Sequence, residues 1–179
     1  MEIVRLRSGR EICIRPIAAN DAPGLRLAYA RLSPESQYQR FLASKPYLSA
    51  GDARYLTQVD GADHSALVAT PIDRPRYILG VGRYVRLAED PAAAEFAVAV
   101  GDPYQNEGIA TELLERLALA ARSHGIKRFT ATMLADNGPA HRLLRRLART
   151  GLVPYGEMPG HATERRRGAI DEVVVELAA

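Results

Sequence analysis

The stretch Ala94–Ala120, AEFAVAVGDPYQNEGIATELLERLALA, decides how the rest of the chain is read. From Glu95 to Val100 the side chains alternate, with Glu95, Ala97 and Ala99 on one face and Phe96, Val98 and Val100 on the other. A period of two marks a strand. After a short turn near Gly101 the period changes. Ile109, Leu113 and Leu117 recur at i, i+4 and i+8, which predicts a helix from about Gly108 to His124, with Gly125 just past its end. Between strand and helix lies Gln105-Asn106-Glu107-Gly108-Ile109-Ala110. A strand that turns into a helix in this way aims several backbone N–H groups and the positive helix end at one place. That makes a candidate anion cradle, built from backbone and therefore tolerant of side-chain variety.

Composition narrows the setting. A chain of 179 residues reads as one domain, large enough to bury a core without disulfide or metal staples. With 47% hydrophobic and 25% charged residues it reads as a soluble globular protein. Charges interrupt every apolar run before membrane-spanning length, so no membrane partner is expected. The opening MEIVRLRSGREICIRPI has scattered charges and no apolar core, unlike a secretory signal. Cys13 is the lone cysteine, which excludes an internal disulfide and fits an expected cytoplasmic location; a packed small side chain is its reading. A net charge of +3 is too small to argue for nucleic acid. Of the 24 basic residues only Lys45 and Lys127 are lysines, read as a compositional bias. His64, His124, His141 and His161 lie far apart, with no cysteine or acid at ligand spacing, so no metal is expected. There is no GKS or GKT, which excludes a P-loop. Gly80-Val81-Gly82 sits inside a strand-like run with no third glycine, so it is not a dinucleotide fingerprint.

Along the chain, Val4–Ile17 reads as two strands around Ser8-Gly9. Asn20 is the expected cap of a helix with Pro23 early in it, and Ser33-Pro34 starts a second helix through Phe41. A third short helix is expected over Ser49–Val59. SALVAT and RYILGVGRYVRL read as strands separated by the turn PIDRP. KRFTATML is a strand, Asn137 opens a further helix and Gly151 stops it. LVPYGEM and AIDEVVVELA read as the last strands, flanking a loop over Pro159–Gly168. The order is strands, helices, then β-α-β-α-β, a single mixed α/β domain over residues 1–179.

At QNEGIA the chain resembles the GNAT superfamily of N-acetyltransferases, whose signature is Q/R-x-x-G-x-G/A. The strand before it, the long helix after it and the Asn-led helix further on match as well. The resemblance implies an α+β fold, with a mostly antiparallel central sheet of about seven strands that splays at the coenzyme A site. It implies acetyl-CoA as cofactor, held at the pyrophosphate by the loop Gln105, Asn106, Glu107, Gly108, Ile109, Ala110 and Thr111. The backbone of Val98, Ala99 and Val100 would face the pantetheine arm, Asn137 would contact the cofactor near its amides, and Arg142 would add charge. LRSGREICIRPIAANDAPGL, RLSPESQYQRF and AEFAVAV are similar, more narrowly, to bacterial protein lysine acetyltransferases of the Pat type. Those switch off acyl-CoA synthetases, so a synthetase is the protein partner that the resemblance implies. Ser33, Glu35, Ser36 and Arg40 would form one wall of the acceptor cleft and Arg165–Arg167 the other. As monomer or homodimer, the chain would be the bare catalytic domain.

Lysine is almost wholly protonated at neutral pH, and an ammonium has no lone pair to attack a thioester, so a base is needed. Glu95 is the only carboxylate in its strand and matches the base glutamate of related protein acetyltransferases. Two positions depart from the family pattern. Leu144 stands where many members have a tyrosine that protonates the leaving thiolate. Glu107 stands where Arg or Lys is common, and a carboxylate beside a pyrophosphate weakens binding. Acetylation of a small amine or a protein N-terminus, and a silent CoA-binding module, are the alternatives to a protein lysine acceptor.

Overall fold

The computed structural model describes residues 1–149 and 163–177. Its centre is one mixed sheet of eight strands in the order β1-β2-β3-β4-β5-β6-β8-β7. The first two, β1 (Glu2–Arg5) and β2 (Glu11–Pro16), form the expected hairpin. β3 (His64–Pro71), β4 (Gly80–Arg86) and β5 (Ala93–Val100) continue it antiparallel. β6 (Arg128–Leu134) then joins β5 in parallel, as a strand reached through a helical crossover must. β8 (Ile170–Glu176) pairs with β6 along its whole length.

The helices divide between the two faces. α1 (Ala22–Ala30), α2 (Pro34–Phe41) and α3 (Ala50–Thr57) cover one, and α4 (Ile109–Ser123) and α5 (Gly138–Arg149) the other. Leu25 and Tyr29 of α1 and Ala53 of α3 pack on Val68 of β3. On the opposite face Leu114, Leu117 and Ala121 of α4 meet Tyr84, Phe96, Phe129 and Val173 from four strands. Toward its start α4 presents Ile109 and Leu113 to Val4, Ile12 and Ile14 of the hairpin. The period-four apolar stripe is thus wholly buried. Cys13 is a buried, free thiol, as its strand position implied.

The two glycines of the GVG run are there because α4 lies hard against β4. A Cβ on Gly82 would stand 2.9 Å from Leu117 Cδ1 and 3.3 Å from Leu113 Cβ. On Gly80 it would meet the Ala99 carbonyl oxygen at 3.2 Å.

Three local expectations change. Asn20 does not cap α1, because it sits in a 3-10 turn over Ala19–Asp21 and the helix begins after Asp21. Asp21 is buried there, accepting from Ala18 N at 2.8 Å and bridging both Arg15 guanidinium nitrogens at 2.7 and 2.8 Å. Burial alone would raise its pKa, but those hydrogen bonds hold the carboxyl below its usual value. Part of the expected C-terminal loop is instead a strand, β7 (Thr163–Arg167), pairing antiparallel with β8 around a two-residue turn with Gly168 at φ +64°. It brings the count among the described residues to eight, where about seven were expected. Gly151 and the expected strand at LVPYGEM lie outside the described residues. α3 is capped at Ser49, whose hydroxyl accepts from Asp52 N at 3.0 Å, and ends two residues before Val59.

Filling the α4–β4 contact is therefore expected to destabilise the whole domain. Gly82→Val should cost about 1–3 kcal/mol, read as a lower midpoint in urea denaturation, whereas Gly61→Ala, in an exposed turn at φ +83° with open space around it, should cost only the backbone strain.

Candidate active site

The site begins where the sheet divides. β5 and β6 are paired only at Ala93↔Arg128, Ala94↔Phe129 and Glu95↔Thr130. Beyond Glu95 β5 stays with β4 as far as Val100, while β6 stays with β8. The two strands part, and the exposed main chain of β5 faces the gap. Which groups are free follows from the ladder. Gly101 N donates to Leu79 O at 2.8 Å, and the Ala99 carbonyl lies against Gly80, so odd positions turn toward β4. Val98 and Val100 turn the other way, and Val100 O accepts from Gln105 Nε2 at 3.3 Å. Ala99 thus lends surface to the gap, and its polar groups belong to the sheet.

A cavity of about 410 Å3 occupies the gap. Val98, Ala99 and Val100 form its floor, α2 one wall and the beginning of α5 the other. Its far end is the QNEGIA turn, where Asn106 at φ +64° and Gly108 at φ +103° reverse the chain into α4. A Cβ on Gly108 would touch nothing, so glycine is required there by conformation and not by space. No side chain caps α4. Its first amides, at Ile109, Ala110 and Thr111, have no intrahelical partner, and the dipole of a 15-residue helix adds positive potential at that point. Gln105, Asn106, Gly108, Ile109, Ala110 and Thr111 all line the cavity.

Glu107 does not line it. Its carboxylate turns to the β1–β2 hairpin, 3.2 Å from Arg10 Nε and accepting from Ser8 Oγ at 3.1 Å. The charge expected beside the phosphate site is thereby turned away and neutralised. Arg142 lines the cavity and folds back over the start of α5, 3.2 Å from where a Cβ on Gly138 would stand. Arg146, one turn on, lines it too. Asn137 is buried and borders the cavity, but its Oδ1 accepts from Ala140 N at 3.0 Å, so one half of its amide caps α5. Leu144 packs into the core beside Leu114, and Leu143 faces the cavity in its place.

On the α2 wall, Asp102 is the organising residue that sequence reading missed. It accepts from Ser33 N at 2.7 Å, Ser33 Oγ at 3.2 Å, Ser36 Oγ at 2.5 Å and Gln105 Nε2 at 3.1 Å. Burial would raise its pKa, yet those donors hold it below the ordinary aspartate value. Ser33 and Ser36 are thus tied to the loop beneath them, and Ser33 also caps α2 through Ser36 N at 3.2 Å. Glu35 is exposed and accepts from Gln39 Nε2 at 3.1 Å. Only Ser36 and Arg40 of the four expected acceptor-wall residues border the cavity. Arg40 carries its charged end deep inside; burial lowers its pKa, and the nearby Glu95 carboxylate offsets this in part. Glu95 itself is exposed at the fork, the last residue of β5 to pair with β6. Arg165–Arg167 fall on β7, at the sheet edge beyond β8.

A sheet split at this point, with a backbone cradle at the head of the following helix, offers a phosphate-bearing ligand a place between two strands. Residues 30–148 match the acetyltransferase (GNAT) family, and the chain belongs to it. It is 32% identical over 144 residues to acetyltransferase Pat of Mycolicibacterium smegmatis, covering 80% of this chain and 43% of that one. The chain thus spans less than half the length of that curated relative. The GNAT domain of S. lividans PAT superposes with a TM-score of 0.83 at 32% identity, over 98% of this chain and 96% of the other. A cAMP-binding acyltransferase from Mycobacterium smegmatis gives 0.66 at 26% identity, over 99% and 47%.

The family takes its acetyl group from acetyl-CoA. The residues present fit that cofactor: an uncapped helix start and a positive-φ glycine suit the diphosphate, and a gap floored by unpaired strand amides suits the amide-bearing arm. Gly108→Ala forces an L residue into φ +103°, and should weaken CoA binding about tenfold by isothermal titration calorimetry. Glu107→Gln, which disturbs only the Arg10 pair, should change that affinity less than about threefold.

Proposed function

We propose that this chain transfers an acetyl group from acetyl-CoA to a neutral amine, and that the amine is a lysine side chain of a protein acceptor. The observation that carries this reading is Glu95, an exposed carboxylate at the point where β5 leaves β6. A long, flexible side chain presented by another protein can reach an exposed base at the mouth of a cleft. A carboxylate sealed within the cavity would select a small molecule instead.

Bound in the cavity, acetyl-CoA supplies an activated acyl group. The chain's own residues do the rest. The amides of Ile109, Ala110 and Thr111 would hold the diphosphate, with Arg142 and Arg146 adding charge from α5. The free N–H of Val98 sits where it can donate to a carbonyl oxygen that gains charge, a role that requires no particular side chain. Asp102 keeps α2 at the distance that lets Arg40 border the same space. Glu95 accepts the proton from the acceptor Nζ, directly or through one water, and so exposes the lone pair that attacks. With position 144 in the core, the chain offers no acid there, and a thiolate leaves without one near neutral pH.

The likeness to acetyltransferase Pat supports a protein acceptor, and an acyl-CoA synthetase in the cytoplasm is the partner we propose first. Among the described residues no helix is long and apolar enough to cross a membrane.

Glu95→Gln removes the base and keeps the shape. It should lower acetylation of a synthetase lysine, followed by mass spectrometry, by about 10²–10⁴-fold, while CoA affinity stays within about threefold of wild type. Turnover like that of wild type would show that Glu95 is not the base.

A further inference from the structure

A second cavity, of about 320 Å3, lies on the α1–α3 face of the sheet. Leu25 and Tyr29 of α1, Leu56 of α3 and Ile78 before β4 make most of it apolar. Arg31, Arg40 and Arg83 line it as well, and none of its lining residues carries a carboxylate. An apolar enclosure lined by three cations is an unbalanced arrangement, since buried charge without a counter-ion is costly, and the one carboxylate acting on it, Glu95 near Arg40, lies outside the lining.

The three arginines differ in how far they are satisfied. Arg31 donates to Ile78 O at 3.1 Å and stacks on Tyr77, with its end exposed. Arg83 is 6% exposed. It donates to Leu56 O at 3.1 Å and meets His64 Nε2 at 3.1 Å, both neutral partners, because burial and Arg83 itself lower the His64 pKa. Arg40 makes no hydrogen bond or ion pair with any described residue; its one contact of note is the Phe41 ring, 4.7 Å away. Each guanidinium opposes the other. Burial, with Arg40 close by, brings Arg83 down to about 10.

We propose that this cavity binds a small apolar monocarboxylate, its carboxylate between Arg40 and Arg83 and its hydrocarbon body among Leu25, Tyr29, Leu56 and Ile78. The planar guanidinium suits a carboxylate, which accepts two parallel N–H bonds from it. The apolar walls select against hydrated inorganic anions, which would lose their water with nothing in return. Leu32, Arg40, Ala99 and Tyr104 border this cavity and the one between β5 and β6. A ligand here therefore shares a wall with the transfer site and competes with Glu95 for the charge of Arg40.

The test is thermal denaturation of the whole chain with hexanoate, octanoate and phenylacetate, each beside its primary amide. A saturable rise in melting temperature with at least one acid, absent with the matching amide, is the expected result. Arg40→Met should weaken that acid about tenfold or more, with far-UV circular dichroism and a single cooperative melting transition confirming that the variant is folded. If no acid shifts the transition at millimolar concentration, or acid and amide act alike on the wild-type chain, the proposal is wrong. That comparison stands even if Arg40→Met fails to fold, and it is independent of whether Glu95 is the base.

Discussion

Everything at this site depends on a ladder that stops early. Three residue pairs join β5 to β6, and the pairing ends at Glu95. Each strand has a stronger claim on its other side, since β5 runs seven pairs with β4 and β6 seven with β8. Unpaired backbone at the centre of a sheet is ordinarily too costly to keep. Here it is retained in a gap bordered by α2 and α5, and the free groups of Val98 and the N–H of Val100 become a surface that amide-bearing ligands can pair with. The cradle, the α2 wall and the fork carboxylate are all placed by reference to that opening.

The opening is kept in shape by polar contacts that reach far along the chain. Asp102 follows the end of β5, yet its carboxylate gathers donors from α2, 69 residues earlier in sequence for Ser33. Glu107 is fastened to the first hairpin through Arg10 and Ser8. This contact lets an acid sit within an anion-binding loop, because its charge is answered on the side away from the cavity. Arg15 and Asp21 do a comparable job at the start of α1. The Arg10–Glu107 pair need not be strong singly, as exposed ion pairs contribute little, whereas Asp21 is buried and needs its partner. Together they fix loops to the sheet at the places where the cavity walls meet.

Local periodicity made much of this legible before any coordinates. The alternation over Glu95–Val100 and the stripe of Ile109, Leu113 and Leu117 gave strand and helix correctly, and Gly108 between them marked the cradle. These signals lie within one element or one turn. What stayed hidden was pairwise and distant. Glu107 looked like a flaw because nothing near it in sequence reveals Arg10. Ser33 and Ser36 looked like acceptor contacts because Asp102 is remote from them. Nothing in the strand RYILGVGRYVRL marks Arg83 as buried, since burial of a cation depends on what α3 and β3 bring above it. TERRR has one β-branched residue, Thr163, and four charged ones; at a sheet edge charges are favoured, so β7 read as loop. Leu144 was judged by spacing alone, and spacing does not say which side of α5 faces the gap.

The central claim is that the fork between β5 and β6, closed by the Gly108 cradle, is a coenzyme A site. Melting of the chain with acetyl-CoA addresses it most directly. A ligand at 100 times its dissociation constant stabilises the folded state by about 2.7 kcal/mol, so the account predicts a concentration-dependent rise in melting temperature that saturates in the millimolar range. A transition that acetyl-CoA leaves unmoved at millimolar concentration would contradict it.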